Sequence, residues 1–152
     1  MRVVMKFGGT SVGSIKALQK VIDILTKARQ QDDHQVVVVV SAMSGVTDRL
    51  LNAAHRAEAG DENVAHEARA EIEEKHAKAS LEFLGDTPVR NELMSQITAL
   101  LNEFEALCHG IRVLGELTPR ALDVIGGLGE RMNAPQVAAI LTHAGVAAQA
   151  VE

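Results

Sequence analysis

Five consecutive valines, residues 36–40, constrain this chain more than any other feature. β-branched side chains are crowded in a helix and fit a pleated strand. An unbroken run without polar alternation predicts a strand buried on both faces, as in a parallel sheet covered by helices. The expected strand spans 35–41. Residues 2–7, RVVMKF, read as a second short buried strand. Between the two lies a helical pattern over 12–29, with Ile15, Leu18, Ile22 and Leu25 at helical spacing, and then a polar break at 30–34. After the valines come the small, polar stretch SAMSGVTD and a helix through Leu50, Leu51 and Ala54. The first 57 residues therefore read strand, turn, helix, strand, turn, helix, the signature of an α/β domain. In such sheets ligands gather beyond the carboxyl ends of the strands, where both polar turns fall.

The middle of the chain changes character. Residues 61–84 are charged, with Val64, Ala68, Ile72, Ala79 and Phe83 on one face. Residues 91–109 repeat the pattern with Leu93, Ile97, Leu100, Phe104 and Leu107. Gly85-Asp86-Thr87-Pro88 separates them, so an antiparallel helical hairpin is expected, packed on the sheet or capping it. Its apolar stripe leaves a partner interface as the sharper alternative. Thr118 and Pro119 suit the cap and first position of a further helix. Gly126-Gly127 is expected to interrupt it, and Gly145 to stop the segment that follows. Residues 146–152 resemble the start of a third strand.

Composition excludes several functions. The net charge is −5 and no basic run occurs, so an extended nucleic-acid footprint is not expected. Aromatic residues are only 2%, too few for a base-stacking platform. Cys108 stands alone, which forbids an internal disulfide and suits a reducing cytoplasm. The six histidines pair with no second His or Cys at a ligand spacing, so no metal site is assigned. No apolar run is long enough to span a bilayer.

Three stretches carry chemistry. In KFGGTS, Gly8 and Gly9 free the backbone to approach a phosphate, Lys6 supplies a cation, and Thr10 and Ser11 add hydroxyls. A lysine before the glycines distinguishes this turn from a Walker A loop. In SAMSGVTD, Ser41 and Thr47 are candidates to hold a small polar substrate, while Ser44 or Thr47 could equally cap the next helix. In GLGERMNA, Glu130 is expected near a helix N-terminus, where it either complements the dipole or accepts from a substrate ammonium. Arg131 reads as an ion-pair partner, and Glu58, Glu62, Glu67, Glu71, Glu73 and Glu74 as a solvated helix face.

In order and spacing these stretches resemble those of the aspartokinases within the amino acid kinase family: KFGGTSV, the valine strand ending in SAMSGVTD, and GERMNA. The resemblance implies a three-layer αβα fold with a mostly parallel sheet and a helical insertion at about 58–112. It implies ATP- and Mg²⁺-dependent phosphorylation of the L-aspartate side-chain carboxylate, the committed step toward lysine, threonine and methionine. Lys6 would then stabilise the transferred phosphoryl group. Gly8, Gly9, Thr10 and Ser11 would contact ATP phosphates. Thr47 and Glu130 would contact aspartate, with Ser41 nearby. The substrate carboxylate itself attacks the γ-phosphorus, so no protein nucleophile is required.

Two departures from the family pattern follow. Asn133-Ala134-Pro135 should start or kink the third helix near Ala134. The family's catalytic domain also continues past residue 152, where it supplies most of the adenine pocket, a catalytic aspartate and a substrate-binding arginine, followed by regulatory ACT domains. The resemblance therefore implies the N-terminal part of a catalytic domain, with little or no kinase activity in these 152 residues alone and a homodimer in the full-length protein. Two other readings stay open. One is a relative with another acceptor, of the glutamate, acetylglutamate or uridylate kinase type. The other is a non-catalytic assembly module built on the hairpin.

Overall fold

The computed structural model describes residues 2–30 and 35–151. The end of the polar break, 31–34, and Glu152 lie outside the described residues. Two strands form as expected: β1 (Arg2–Phe7) and β2 (Gln35–Val40). They pair in parallel, from Arg2 opposite Gln35 to Phe7 opposite Val40.

The sheet is not buried on both faces. Met5, Phe7, Val36, Val38 and Val40 pack toward the core. Val4, Val37 and Val39 on the other face are 65%, 46% and 47% exposed. Among the described residues helices cover one face only, which corrects the expectation drawn from the valine run. The crossover between the strands is also divided. A single turn, α1 (Gly9–Val12), precedes a bend at Gly13-Ser14, and the main helix α2 runs over Ile15–Gln30. Leu18, Val21, Ile22 and Leu25 form its buried stripe, and Ile15 in its first turn is partly exposed.

Four helices follow: α3 (Val46–Glu58), α4 (Val64–Leu84), α5 (Pro88–Leu114) and α6 (Pro119–His143). The expected caps are present. Thr87 Oγ1 accepts from Arg90 N at 3.3 Å, Thr118 Oγ1 accepts from Ala121 N at 3.1 Å, and each is followed by proline. α4 and α5 form the expected hairpin, but they pack against α3 and α6 rather than the sheet. The four helices enclose a core that includes Leu50, Ile72, Ile97, Leu101, Phe104, Ile125 and Met132. Burying one such side chain stabilises the fold by about 1.5–3 kcal/mol. The hairpin stripe is thus consumed inside the chain, which removes the ground for reading it as a partner surface.

α6 runs unbroken through Gly126-Gly127 and Pro135, contrary to both expected interruptions. Its interior positions Leu128, Gly129, Met132 and Asn133 are buried, and packing on α2, α3, α4 and α5 outweighs the helix-propensity cost of about 1 kcal/mol per glycine. Pro135 lies on the opposite side with Arg131, lining a cleft of about 820 Å³ beside β2. Pro135 has no N–H to offer the carbonyl one turn back, and it sits on the side of α6 that borders this cleft. The far wall of the cleft is the segment 146–151, which forms no strand. Thr142 Oγ1 donates to Ala148 O at 3.2 Å and accepts from Ala148 N at 3.4 Å, so the segment is tied to the end of α6 instead of the sheet.

Candidate functional site

The first loop starts where β1 ends. Gly8 is extended, with φ −75° and ψ 172°, and Ser11 N donates back to Gly8 O at 2.9 Å to close the single turn α1. A one-turn element carries little macrodipole, so the anion-favouring features here are the glycine backbone and Lys6. Lys6 is exposed, and its ammonium curls over the loop, 3.7 Å from where a Cβ on Gly8 would sit. Thr10 is exposed and Ser11 half-buried. Gly13 explains why the expected helix is broken: a Cβ there would lie 2.4 Å from Ser44 Cβ. The chain can pass this close to the second loop only without a side chain. Ser14 Oγ then accepts from Ala17 N at 3.2 Å and opens α2.

The second loop, 41–45, leaves β2 with Ser41 N donating to Phe7 O at 3.0 Å. Ala42 and Met43 turn inward and are buried. Gly45 has φ 79°, a left-handed conformation that favours glycine, and it precedes α3 without any side-chain cap. The capping alternative for Ser44 and Thr47 is therefore not realised. Thr47 is half-buried in the first turn of α3. The position of a Cβ on Gly9 is 3.5 Å from Ala42 O, so the two loops are in contact.

The third stretch reaches the same place from within α6. A Cβ on Gly129 would lie 2.6 Å from Ala42 Cβ, 3.4 Å from Val46 Cγ1 and 3.5 Å from Thr47 Oγ1. This contact brings the helix carrying Glu130 against the loop carrying Thr47. Glu130 is exposed and lies well inside α6, so the expected N-terminal location is corrected and a dipole role is excluded. Arg131 pairs with Glu103 at 3.4 Å, as expected. Of the glutamates expected to be a solvated face, Glu58, Glu62, Glu71 and Glu74 are exposed and Glu73 is half-buried. Three of the exposed ones also reach other elements: Glu71 to Arg49 at 2.6 Å, Glu62 to Arg112 at 2.9 Å, and Glu58 to Leu117 N at 2.9 Å. Glu67 is exposed as expected.

Four residues near the loops escaped the sequence reading. Lys75 on α4 donates through Nζ to Ser44 O. Asn133 Nδ2 donates to Ser41 O at 2.7 Å. Gln136 Nε2 faces Asn133 Oδ1 at 3.5 Å and Met43 Sδ at 3.4 Å. His76 Nδ1 meets Gln136 Oε1 at 3.0 Å. His76, Asn133 and Gln136 are completely buried. Burial depresses His76 to a pKa of about 4, against the Gln136 hydrogen bond that favours its charged form and with Lys75 disfavouring it. Its Nε2 has no partner among the described residues, a desolvation cost of about 1–3 kcal/mol. The available signal was the spacing of Asn133 and Gln136, polar side chains one helical turn apart on the buried face of α6.

Among the described residues, no three His, Cys, Asp or Glu side chains gather as a metal cage. Burial, with the Glu105 charge nearby, pushes the Cys108 thiol up to about 11, so it is no nucleophile at neutral pH. What meets at the ends of the strands is the glycine loop with Lys6, the loop that leads to Thr47, and the helix that carries Glu130, whose side chain lines the cleft beside β2. This set can hold an anion beside a small zwitterion.

A model of the amino acid kinase family matches residues 1–152. An aspartokinase of Schizosaccharomyces pombe is 32% identical over 99% of this chain and 30% of its own length. A chloroplastic bifunctional aspartokinase/homoserine dehydrogenase of Arabidopsis thaliana is 32% identical over 94% of this chain and 15% of its own. Among solved structures, Escherichia coli aspartokinase III in complex with aspartate and ADP superposes with a TM-score of 0.78 and 27% identity, covering 98% of this chain and 30% of that one. The likeness extends over the strands and all six helices, and it assigns the chain an αβα amino-acid-kinase fold. The chain spans about a third or less of the length of these relatives.

Proposed function

The chain belongs to the amino acid kinase family, and we propose that within it the chain carries the phosphate and acceptor loops of an aspartate kinase. The observation that carries this reading is the meeting of the two loops and α6 at Gly13, Ser44, Ala42, Thr47 and Gly129. The relatives' names and the aspartate and ADP of the E. coli complex support the choice of acceptor and donor.

A carboxylate oxygen of L-aspartate attacks the γ-phosphorus of ATP. An O–P bond forms, the bridging bond to the β-phosphate breaks, and ADP leaves with that electron pair, giving 4-phospho-L-aspartate. The protein's part is positioning and charge neutralisation. Lys6 stabilises the phosphoryl oxygens as a point charge. Gly8, Gly9, Thr10 and Ser11 hold the phosphates. Thr47 and Glu130 hold aspartate, with Glu130 accepting from its ammonium and Ser41 close by. Mg²⁺ neutralises phosphate charge when bound to nucleotide. The described residues offer it no cage of their own, so no step here is routed through it.

With this reaction goes the proposal of a place in the biosynthesis of lysine, threonine and methionine, a cytoplasmic location and a homodimeric full-length protein. Weak aspartate binding is expected of these 152 residues, which cover 30% of the length of the Schizosaccharomyces pombe relative. Among the described residues no helix is long and apolar enough to cross a membrane.

The test is a titration of L-aspartate into the chain followed by backbone amide NMR, with D-aspartate and L-glutamate as controls. Saturable L-aspartate shifts at Gly45, Thr47 and Glu130 support the reading. Equal shifts with L-glutamate would point to another acceptor within the family. No shift at these residues with any of the three would remove the acceptor assignment.

A further inference from the structure

The buried polar residues behind the second loop form one directed chain. Its fixed end is the carbonyl of Ser41, which can only accept. Asn133 Nδ2 donates to it at 2.7 Å, so Asn133 Oδ1 faces the other way. Gln136 Nε2 donates to that oxygen at 3.5 Å, which turns Gln136 Oε1 toward His76. An amide oxygen accepts only, so the His76 nitrogen 3.0 Å away, Nδ1, must carry its proton. The backbone of the loop thus dictates the rotamer of two amides and the tautomer of a histidine on α4. The same helix reaches the loop a second time, because Lys75, the neighbour of His76, donates to Ser44 O.

Stability does not account for this arrangement. An apolar set of the same shape would hold α4 and α6 together at least as well, and the chain present leaves His76 Nε2 buried without a partner. Apolar side chains cannot fix the direction of a particular carbonyl. Here the Ser41 peptide is fixed on both sides, its N–H by Phe7 O and its carbonyl by Asn133. The Ser44 carbonyl is fixed just before the left-handed Gly45 that aims α3 and Thr47.

We propose that Lys75 and His76 are positioning residues for the 41–47 loop, Lys75 holding Ser44 directly and His76 holding Ser41 through Gln136 and Asn133. Calling this the acceptor loop rests on the aspartate kinase reading. The positioning itself does not.

The experiment is residue-resolved amide hydrogen exchange on the ligand-free chain. The reporters are Val46 and Arg49, whose amides bond to Met43 O and Gly45 O, and the controls are Leu101 and Phe104 in α5. Lys75→Met, His76→Leu and Gln136→Met are each expected to speed the reporters about tenfold, with the controls within about twofold. His76→Asn, which keeps a donor near the place of Nδ1, and Lys75→Arg are expected to restore the wild-type rates. The double variant His76→Leu/Gln136→Met is expected to match the single ones, because the links act in series. Unchanged reporters, acceleration spread equally into α5, or additive effects in the double variant would overturn the proposal. Lys75 lies outside the buried core, so Lys75→Met decides the direct link even where a core variant fails to fold. Adding L-aspartate to the same samples separates the two readings. Faster reporters without wild-type aspartate binding sustain the positioning and sink the acceptor assignment. L-aspartate binding with unmoved reporters does the reverse.

Discussion

The helical bundle and the strand pair are built on opposite terms. In the bundle, Leu101 and Phe104 are completely buried and every helix has helical neighbours. In the sheet, two strands carry a covered face and a bare one, with Val37 and Val39 nearly half exposed. Both candidate loops grow from the sheet, yet the second is anchored from the bundle, through Asn133 and Lys75. The difference teaches that the strands here deliver the loops, while contacts from the helices hold the second loop.

Four changes break or sharpen this contrast. The largest effect is expected for Phe104→Ala, at about 3–5 kcal/mol, against about 1 kcal/mol or less for Val39→Ala on the bare face. Urea unfolding of both variants measures the gap, and equal losses would erase the distinction. Next comes pH. His76 is neutral in the fold with a pKa lowered from 6.5 to about 4. Above pH 6.5 neither state binds the proton. As pH falls toward 4 the unfolded chain binds it and the fold does not, so stability drops by about 3 kcal/mol over that window. Thermal melts of wild type and His76→Asn across this window check the sign, because the variant lacks this component.

Gly129→Ala comes third. Its new methyl would sit 2.6 Å from Ala42 Cβ, costing about 1–3 kcal/mol and displacing α6 from the loop. L-aspartate affinity should fall with it, by about tenfold, read by the NMR titration. Smallest is Val37→Thr, a change of about 0.5 kcal/mol or less on the open side of the sheet. A larger loss would mean that this face is covered in solution.

Much of this was legible from local chemistry. Both strands, the Thr118-Pro119 start, the hairpin turn at Gly85 and the stop at Gly145 follow from β-branching, capping and glycine. The three chemical stretches were found because glycines, hydroxyls and a lysine in fixed order have few other uses. The misses share a cause. Gly126-Gly127 and Pro135 read as breaks, yet α6 continues because its other face is buried among neighbouring helices. The valine run read as doubly buried because sequence reports hydrophobicity and not which neighbours are there to cover it. The break at Gly13 depended on Ser44, far away along the chain. His76 was illegible for the same reason: its partner, Gln136, lies 60 residues on.

The most direct test of the central claim is hydrogen exchange in the unmodified chain, comparing Val46 and Arg49 with the amides of β2 and of α5. The account predicts that these two amides, in the first turn of α3 where the second loop enters it, open with the bundle, about tenfold or more slower than the strand. Val46 and Arg49 amides that exchange as fast as β2, while α5 stays protected, would show that the junction of the second loop and α3 belongs to the sheet and that the other helices do not hold it.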